Sequence, residues 1–386
     1  MDKVFLKRTS RILAGHLWIF SNELMSSTKN YEPASIVEVY DNKGKFLGTG
    51  YINPNSLISI RLLSKEREVI NSDFLRKRIT DAIDYRKTFL SDFNSFRVIY
   101  SEGDFLPGLI VDKYADCLVI QFLTLGIEKM GDTILNVLDE ILSPSVIVLR
   151  NDTQSRTLEG LSLEKRIIKG TLDSLPLITE GGIKLEVDPI HGQKTGFFLD
   201  QRENRIALNM IIGSGKGLDL FCYSGAWGLH MAKREAYVTG VDESETALSL
   251  ARKNAALNNI SSRCEFIKAD VFDFLKKEIE TDNKYDFIIL DPPAFVKSKA
   301  KIKEALRGYR EVNSMAMKII KQNGILATSS CSYHIDRETF LDMLRDAARD
   351  SNRSVRLLEY RSQSKDHPIL LSVPETEYLK CAFLRL

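Results

Sequence analysis

Leu218-Asp219-Leu220-Phe221-Cys222-Tyr223-Ser224-Gly225-Ala226-Trp227-Gly228 is the stretch on which the fold turns. An apolar run ends in a tight turn of small residues and reopens as a helix. Gly225 can take the backbone angles that let a ligand approach closely. Outward from it, strand and helix signals alternate: strands at 217–221, 237–241, 264–267, 285–290 and 324–329, and helices at 226–234, 244–258, 271–279, 302–321 and 336–349. Strands interleaved with helices of 10–15 residues predict a parallel, doubly wound Rossmann-like α/β sheet. Two more strands follow, at 355–361 and 378–386.

The N-terminal half reads differently. Short alternating runs at 35–40 and 57–62 flank the turn signal Asp41-Asn42-Lys43-Gly44, which predicts a small β-rich domain over 1–70. Residues 71–90 are charged and helix-like. Two strands around Gly108, a helix at 129–141 and a strand at 146–149 then predict a central α+β domain over 71–185, leaving 186–386 for the doubly wound sheet.

With 386 residues, 44% hydrophobic and 27% charged, the composition is that of a globular protein of two or three domains. No run approaches a membrane span, and Met1-Asp2-Lys3-Val4-Phe5-Leu6-Lys7-Arg8 lacks the apolar core of a signal peptide, so a cytoplasmic location is expected. Five cysteines without a Cys-x-x-Cys pair argue against a disulfide framework and a zinc knuckle, and no metal is expected. A net charge of +2 requires any nucleic-acid surface to be local.

Doubly wound sheets bind ligands outside the carboxyl ends of their strands. Here three successive strand ends carry a carboxylate. Asp219, suited to an amine or hydroxyl, precedes the turn of Tyr223, Ser224, Gly225 and Ala226. Asp242, followed by Glu243, is placed for ribose hydroxyls. Asp270 is placed for an adenine amino group, with Val271 against the ring. Each alone is commonly a helix cap; the series points to a nucleoside. The glycines of Gly213-Ser214-Gly215-Lys216-Gly217 precede the strand, opposite to a dinucleotide fingerprint, and read as a flexible lead-in. The true turn lacks the three-glycine spacing that seats a pyrophosphate.

Two further strand ends carry chemistry. Asp291-Pro292-Pro293-Ala294-Phe295 is a stiff turn that presents a carboxylate to a planar nitrogenous ring. Ser329-Ser330-Cys331-Ser332 places a thiol forty positions on. A lone strand cysteine is usually core. At a strand end among small polar residues, opposite such a turn, Cys331 reads as a nucleophile. Cys222, inside the cofactor turn, reads as packing.

The strand-end series resembles class I S-adenosylmethionine-dependent methyltransferases. More sharply, the chain resembles the bacterial large-subunit (23S) rRNA cytosine-C5 methyltransferases, which join an N-terminal PUA domain and a small central domain to such a fold. The marks are Gly15 to Glu23, Gln193 to Arg205, Asp291 to Phe295, and Pro374 to Lys380. The resemblance implies S-adenosylmethionine as cofactor and rRNA as partner, with Thr195 and Phe197 at the cofactor and Arg202 near it or the RNA. It implies that Cys331 adds to cytosine C6, with Asp291 on the base edge and also lining the cofactor site, and Pro292, Pro293, Phe295 and Tyr309 near the substrate. Lys297, Lys299, Lys301, Lys303, Arg307 and Arg310 form a basic run with Phe295 and Tyr309 available for stacking. Lys7, Arg8, Arg11 and His16 could belong to a PUA-type RNA surface, though solvated charge explains such runs equally well. A homodimer is admissible.

Three other readings compete. A base-amine or guanine-N7 RNA methyltransferase would use Asp291 without the thiol. A nicotinamide oxidoreductase is disfavoured by the missing three-glycine turn. A non-catalytic RNA-binding module would leave the cofactor cleft without a purpose.

Overall fold

The computed structural model describes residues 1–90, 94–295 and 301–386; Lys297 and Lys299 lie outside these residues. Contacts divide the chain into two units. One contains Met1–Pro176, Val187–Leu199 and Lys365–Thr376, the other Leu177–Glu186, Asp200–Ser364 and Glu377–Leu386. The pattern change near 185 is therefore one of several passages between the units, and none of the others was visible in the sequence.

The first unit holds two five-stranded sheets. Asp2–Phe5, Ile36–Tyr40, Phe46–Ile52, Ile60–Ser64 and Trp18–Ile19 form one, in that spatial order, around Val4, Val37, Val39 and Ile60. The helix Ser72–Lys87, capped by the Asn71 side chain accepting from Phe74 N at 3.0 Å, packs over the second. Across 96–121 the sequence predicted two strands; there are three, because Ala115 takes a left-handed backbone (φ 51°) and folds Leu109–Tyr114 directly onto Cys117–Phe122. Buried arginines here are paired with carboxylates, Arg86 with Asp104 at 2.5 and 2.7 Å and Arg97 with Asp112 at 2.8 and 2.7 Å. Unpaired, such charges would not be tolerated in a core.

The second unit is built on strands β1 (Gly215–Leu220), β2 (Ala236–Asp242), β3 (Cys264–Lys268), β4 (Tyr285–Leu290), β5 (Ile320–Ser330), β6 (Arg356–Arg361) and β7 (Lys380–Arg385). Their spatial order is β3-β2-β1-β4-β5-β7-β6, with β7 antiparallel to both neighbours and the other pairings parallel. The order reverses between β1 and β4, where such sheets open a crevice. Helices α1 (Arg202–Ile211), α2 (Ala226–Lys233), α3 (Glu245–Leu257), α4 (Val271–Glu280), α5 (Ile302–Ile319) and α6 (Arg337–Asp350) accompany the sheet. Helix α5 shows why the pairing works: Ala305, Tyr309, Val312, Ala316 and Ile319 recur at helical spacing and are all buried. Central β4 is apolar on both faces, as a doubly covered strand must be.

A hairpin of Leu177–Glu180 and Ile183–Glu186 also belongs to this unit. Its Glu180 takes a bidentate bond from Arg205 of α1 at 2.6 and 2.7 Å and meets His230 of α2 at 3.0 Å. Burial opposes the Glu180 charge, but Arg205 and His230 prevail and hold its carboxyl well below the usual range. Among the described residues no helix is long and apolar enough to cross a membrane.

One expectation is overturned. Gly215 is not part of a flexible lead-in but, like Gly217 where the strand was expected to begin, a residue of β1, and a Cβ at Gly217 would lie 2.2 Å from the Phe287 ring on β4. Gly217→Ala should therefore destabilise the protein by about 1–3 kcal/mol through overpacking. Urea unfolding would read this as a lower midpoint at unchanged slope.

Candidate functional site

The site is set by strand register. Parallel pairing places Leu220 of β1 beside Leu290 of β4, and Leu290 beside Thr328 of β5. The segments carrying Phe221–Gly225, Asp291 and Cys331 thus leave the sheet at one edge.

The turn after β1 is strained. Phe221 (φ 61°) and Tyr223 (φ 48°) are left-handed without being glycine, and Gly225 (φ 79°) follows. Such residues cost of order 1 kcal/mol or more each and cluster at functional sites. They are held by Cys222 N donating to Val241 O at 3.1 Å and Tyr223 N donating to Asp242 Oδ2 at 2.9 Å. Asp242 Oδ1 accepts from Ser244 N at 2.9 Å, so this carboxylate ties the turn to the start of α3. Each of its oxygens keeps a further lone pair for a ligand.

Asp219 is buried on β1. Its Oδ2 accepts from Gly228 N at 2.8 Å, while its Oδ1 and the nearby Ser224 Oγ have no hydrogen-bond partner among the described residues. Burial, reinforced by the charges of Asp291 and Asp242 and opposed by Gly228, raises its carboxyl from 3.8 to about 7. A buried carboxylate with an unsatisfied oxygen, in a cluster of like charge, is completed by a cation bearing N–H donors. A pyrophosphate would be repelled. An ammonium-bearing sulfonium nucleoside fits these residues.

Asp291 is held between two helices, accepting from Gln201 Nε2 just before α1 and from Trp227 Nε1 of α2, both at 3.0 Å. Sequence reading quoted Gln201 and Trp227 without finding this role, since neither spacing nor periodicity announces a contact 64 or 90 positions away. Pro292 is buried and Pro293 exposed. Phe295 packs on Tyr309 with ring centroids 4.6 Å apart and meets Phe221 and Phe272 at 6.4 Å. Tyr309 is fully buried, so its expected role as a stacking platform for RNA is corrected: its hydroxyl bonds Ser332 Oγ at 2.9 Å and braces the Cys331 turn. Cys331 itself is half-buried, and none of the five cysteines is in a disulfide. Cys222 is buried packing, its thiol pushed well up by burial.

Asp270 is exposed and caps α4, accepting from Asp273 N at 2.9 Å; Val271 behind it is buried, and Glu243 is exposed. Thr195 and Phe197 belong to the first unit. There both are buried, and the Thr195 hydroxyl donates to Asp112 at 2.5 Å and meets Tyr114 at 2.9 Å. Arg202 is fully buried at the start of α1, which takes it out of the surface cations. Of the basic run, Lys301, Lys303 and Arg307 are exposed, but Arg310 is claimed by Asp350 at 2.5 and 2.6 Å. Lys7 and Arg8 are exposed; His16 is buried, accepting from Trp18 N and bonded to Glu375 at 3.0 Å, and so is structural. No metal-holding group of His, Cys, Asp or Glu occurs among the described residues.

Residues 3–65 match the family model of a PUA-like domain and residues 214–372 that of a methyltransferase domain. A Shewanella denitrificans protein named ribosomal RNA large subunit methyltransferase I is 38% identical over 95% of this chain and 94% of its own. The protein of that name from Aeromonas hydrophila is 37% identical over 98% and 97%. A protein assigned provisionally as a methyltransferase and solved in complex with SAH superposes over the whole of both chains with a TM-score of 0.87 at 21% identity. A Streptococcus mutans protein assigned provisionally as a SAM-dependent methyltransferase does so with 0.85 at 22%. At these identities the superpositions establish the fold alone.

The raised Asp219 carboxyl makes a linkage prediction. A group protonated more readily in the folded state stabilises below its unfolded value, here 3.8, and that contribution is lost as pH rises through about 7. Without ligand, the wild type should lose stability relative to Asp219→Asn between about pH 4 and 7, by at most about 4 kcal/mol. Urea unfolding of both proteins across that range measures it, and parallel curves would refute the assignment.

Proposed function

Because the chain belongs to the ribosomal RNA large subunit methyltransferase I family, we propose that it forms 5-methylcytidine in large-subunit rRNA with Cys331 as covalent nucleophile. Its activity is S-adenosylmethionine-dependent methylation of that RNA. The observation that carries the finer reading is the convergence of Cys331, Asp291 and the strained turn at one sheet edge.

Asp219, Ser224, Gly225 and Asp242 would hold the cofactor, with Asp270 and Val271 toward its base. When bound, it supplies an electrophilic methyl group on a sulfonium. Cytosine C5 is too weak a nucleophile to take that group unaided. The Cys331 thiolate adds to C6, forming an S–C6 bond and moving the ring electrons so that C5 becomes enamine-like. Asp291, fixed by Gln201 and Trp227, accepts from the N4 amine and steadies the base as charge shifts across it. After C5 is substituted, its proton is removed and the S–C6 electron pair returns to sulfur as the thiolate leaves, restoring the ring.

C5 and C6 are out of reach in a duplex, so the target is an unpaired or flipped cytosine. The PUA-like domain with exposed Lys7 and Arg8, and the exposed Lys301, Lys303 and Arg307, are proposed RNA contacts, and Phe295 and Pro293 border the base. An rRNA substrate sets the place of action in the cytoplasm. The Asp-Pro-Pro turn would equally serve transfer to an exocyclic amine, and there Cys331 would be dispensable.

Incubation with labelled methyl donor and unmodified large-subunit rRNA, followed by nucleoside analysis, separates these readings. Wild type should yield 5-methylcytidine, and Cys331→Ala none. Asp291→Asn should lose at least about a hundredfold in kcat/KM, the range of a transition-state electrostatic contact. A Cys331→Ala protein of full activity would remove the covalent mechanism.

A further inference from the structure

Lys380 opens β7, a strand whose motif the proposed mechanism leaves unused. It pairs in register with Ser330 of β5, one residue before Cys331. Its side chain is only 4% exposed. Two of its three ammonium N–H groups donate to the backbone carbonyls of Ser332 and Tyr378, each at 2.7 Å. One of those carbonyls belongs to the residue after Cys331, so the cation is anchored to the turn that carries the thiol. A buried lysine is expensive unless something compensates its charge. The ionisable acids nearest it are the Cys331 thiol, Glu377 ahead of β7 and Asp336 at the N-cap of α6. Glu377 and Asp336 are exposed to solvent, whereas Cys331 is half-buried on the turn whose Ser332 carbonyl the lysine bonds.

We infer that Lys380 is the positioning residue that holds Cys331 as a thiolate, its anchored ammonium supplying the positive charge against which the sulfur ionises. This rests on Cys331 being the nucleophile. On ionisation the S–H bond breaks, the electron pair stays on sulfur and the proton passes to solvent; Lys380 remains an ammonium throughout. Burial pulls the Lys380 ammonium down to about 8, with Cys331, Glu377 and Asp336 opposing, so it is still charged at neutral pH. The other titratable groups at this turn are Tyr309 of α5, which burial pushes up, and Tyr333 and His334 on the Cys331 turn itself. The remaining cysteines make a natural background. Burial raises Cys117, Cys264 and Cys381 to about 12 and Cys222 well above its ordinary value, so none should ionise with Cys331.

The test is alkylation of the full-length protein by iodoacetamide between about pH 5.5 and 9.5, with the rate at Cys331 followed by peptide mass. Wild type should show a midpoint clearly below the ordinary thiol value of about 8.5. Lys380→Met should raise that midpoint by about one pH unit, slow alkylation at pH 7 about tenfold, and lower kcat more than it changes KM for RNA. Lys380→Arg, which keeps the charge, should restore most of the wild-type profile. A Lys380→Met protein with an unshifted Cys331 midpoint would overturn the inference even if its methyl transfer were lost, since that pattern is a structural role only. If Lys380→Met fails to fold by circular dichroism, the wild-type profile still decides, because a midpoint at or above about 8.5 also overturns it. Failure of the underlying reading looks different: Cys331→Ala would keep forming 5-methylcytidine whatever the thiol's profile.

Discussion

Parallel in-register pairing of β1, β4 and β5 is the constraint from which the candidate site follows. Once Leu220, Leu290 and Thr328 are level across three strands, the residues that follow each must emerge at one edge. Side-chain chemistry then depends on which residues occupy those exits. A one-residue slip of β4 would turn the apolar run Phe287–Leu290 over and carry Asp291 away from Gln201 and Trp227. The burial of β4 on both faces therefore also fixes where Asp291, the carboxylate proposed to meet the base, stands.

Electrostatically the edge is divided. Around the ends of β1, β2 and β4 three carboxylates, Asp219, Asp242 and Asp291, act on one another, and the most buried of them, Asp219, is pushed toward its neutral form. On the β5–β7 side the buried charge is positive. A methyl donor that carries positive charge is matched to the first region, and the proposed ionisation of Cys331, which puts negative charge on sulfur, would be matched to the second. The backbone strain at Phe221 and Tyr223 falls in the same short segment as Asp219 and Ser224, whose Oδ1 and Oγ are open among the described residues.

Periodicity made the second unit readable. Its apolar strands and amphipathic helices fall within a few residues of the expected spans, because burial on a doubly covered sheet leaves a strong local imprint. The acids Asp219, Asp242 and Asp291 stood out for the same reason, Asp242 and Asp291 closing apolar runs and Asp219 interrupting one just before its turn. What was not legible depends on partners distant in sequence. Tyr309 shares the apolar stripe of α5 with Ala305 and Val312, so its burial was legible from spacing, but nothing local distinguishes Arg310, neutralised by Asp350, from Arg307. His16 looked like a surface cation until Glu375 and Trp18 N were seen beside it. The hairpin 177–186 was hidden by its shortness, and the return of Lys365–Thr376 to the first unit leaves no trace in composition at all.

The insertion of β7 between β5 and β6 has a consequence for biosynthesis. The sheet opens at Gly215 but is not finished until Arg385 takes its place, and β7 fills an interior position rather than an edge. During vectorial synthesis β5 must wait with one side unpaired, a state prone to non-native pairing. The cation at its start arrives together with the strand. On the role proposed for Lys380, a nascent chain that has already formed the turn after β1 and the Asp-Pro-Pro turn would still carry an unassisted thiol, and reactivity at sulfur would be gained in the same step that completes the fold.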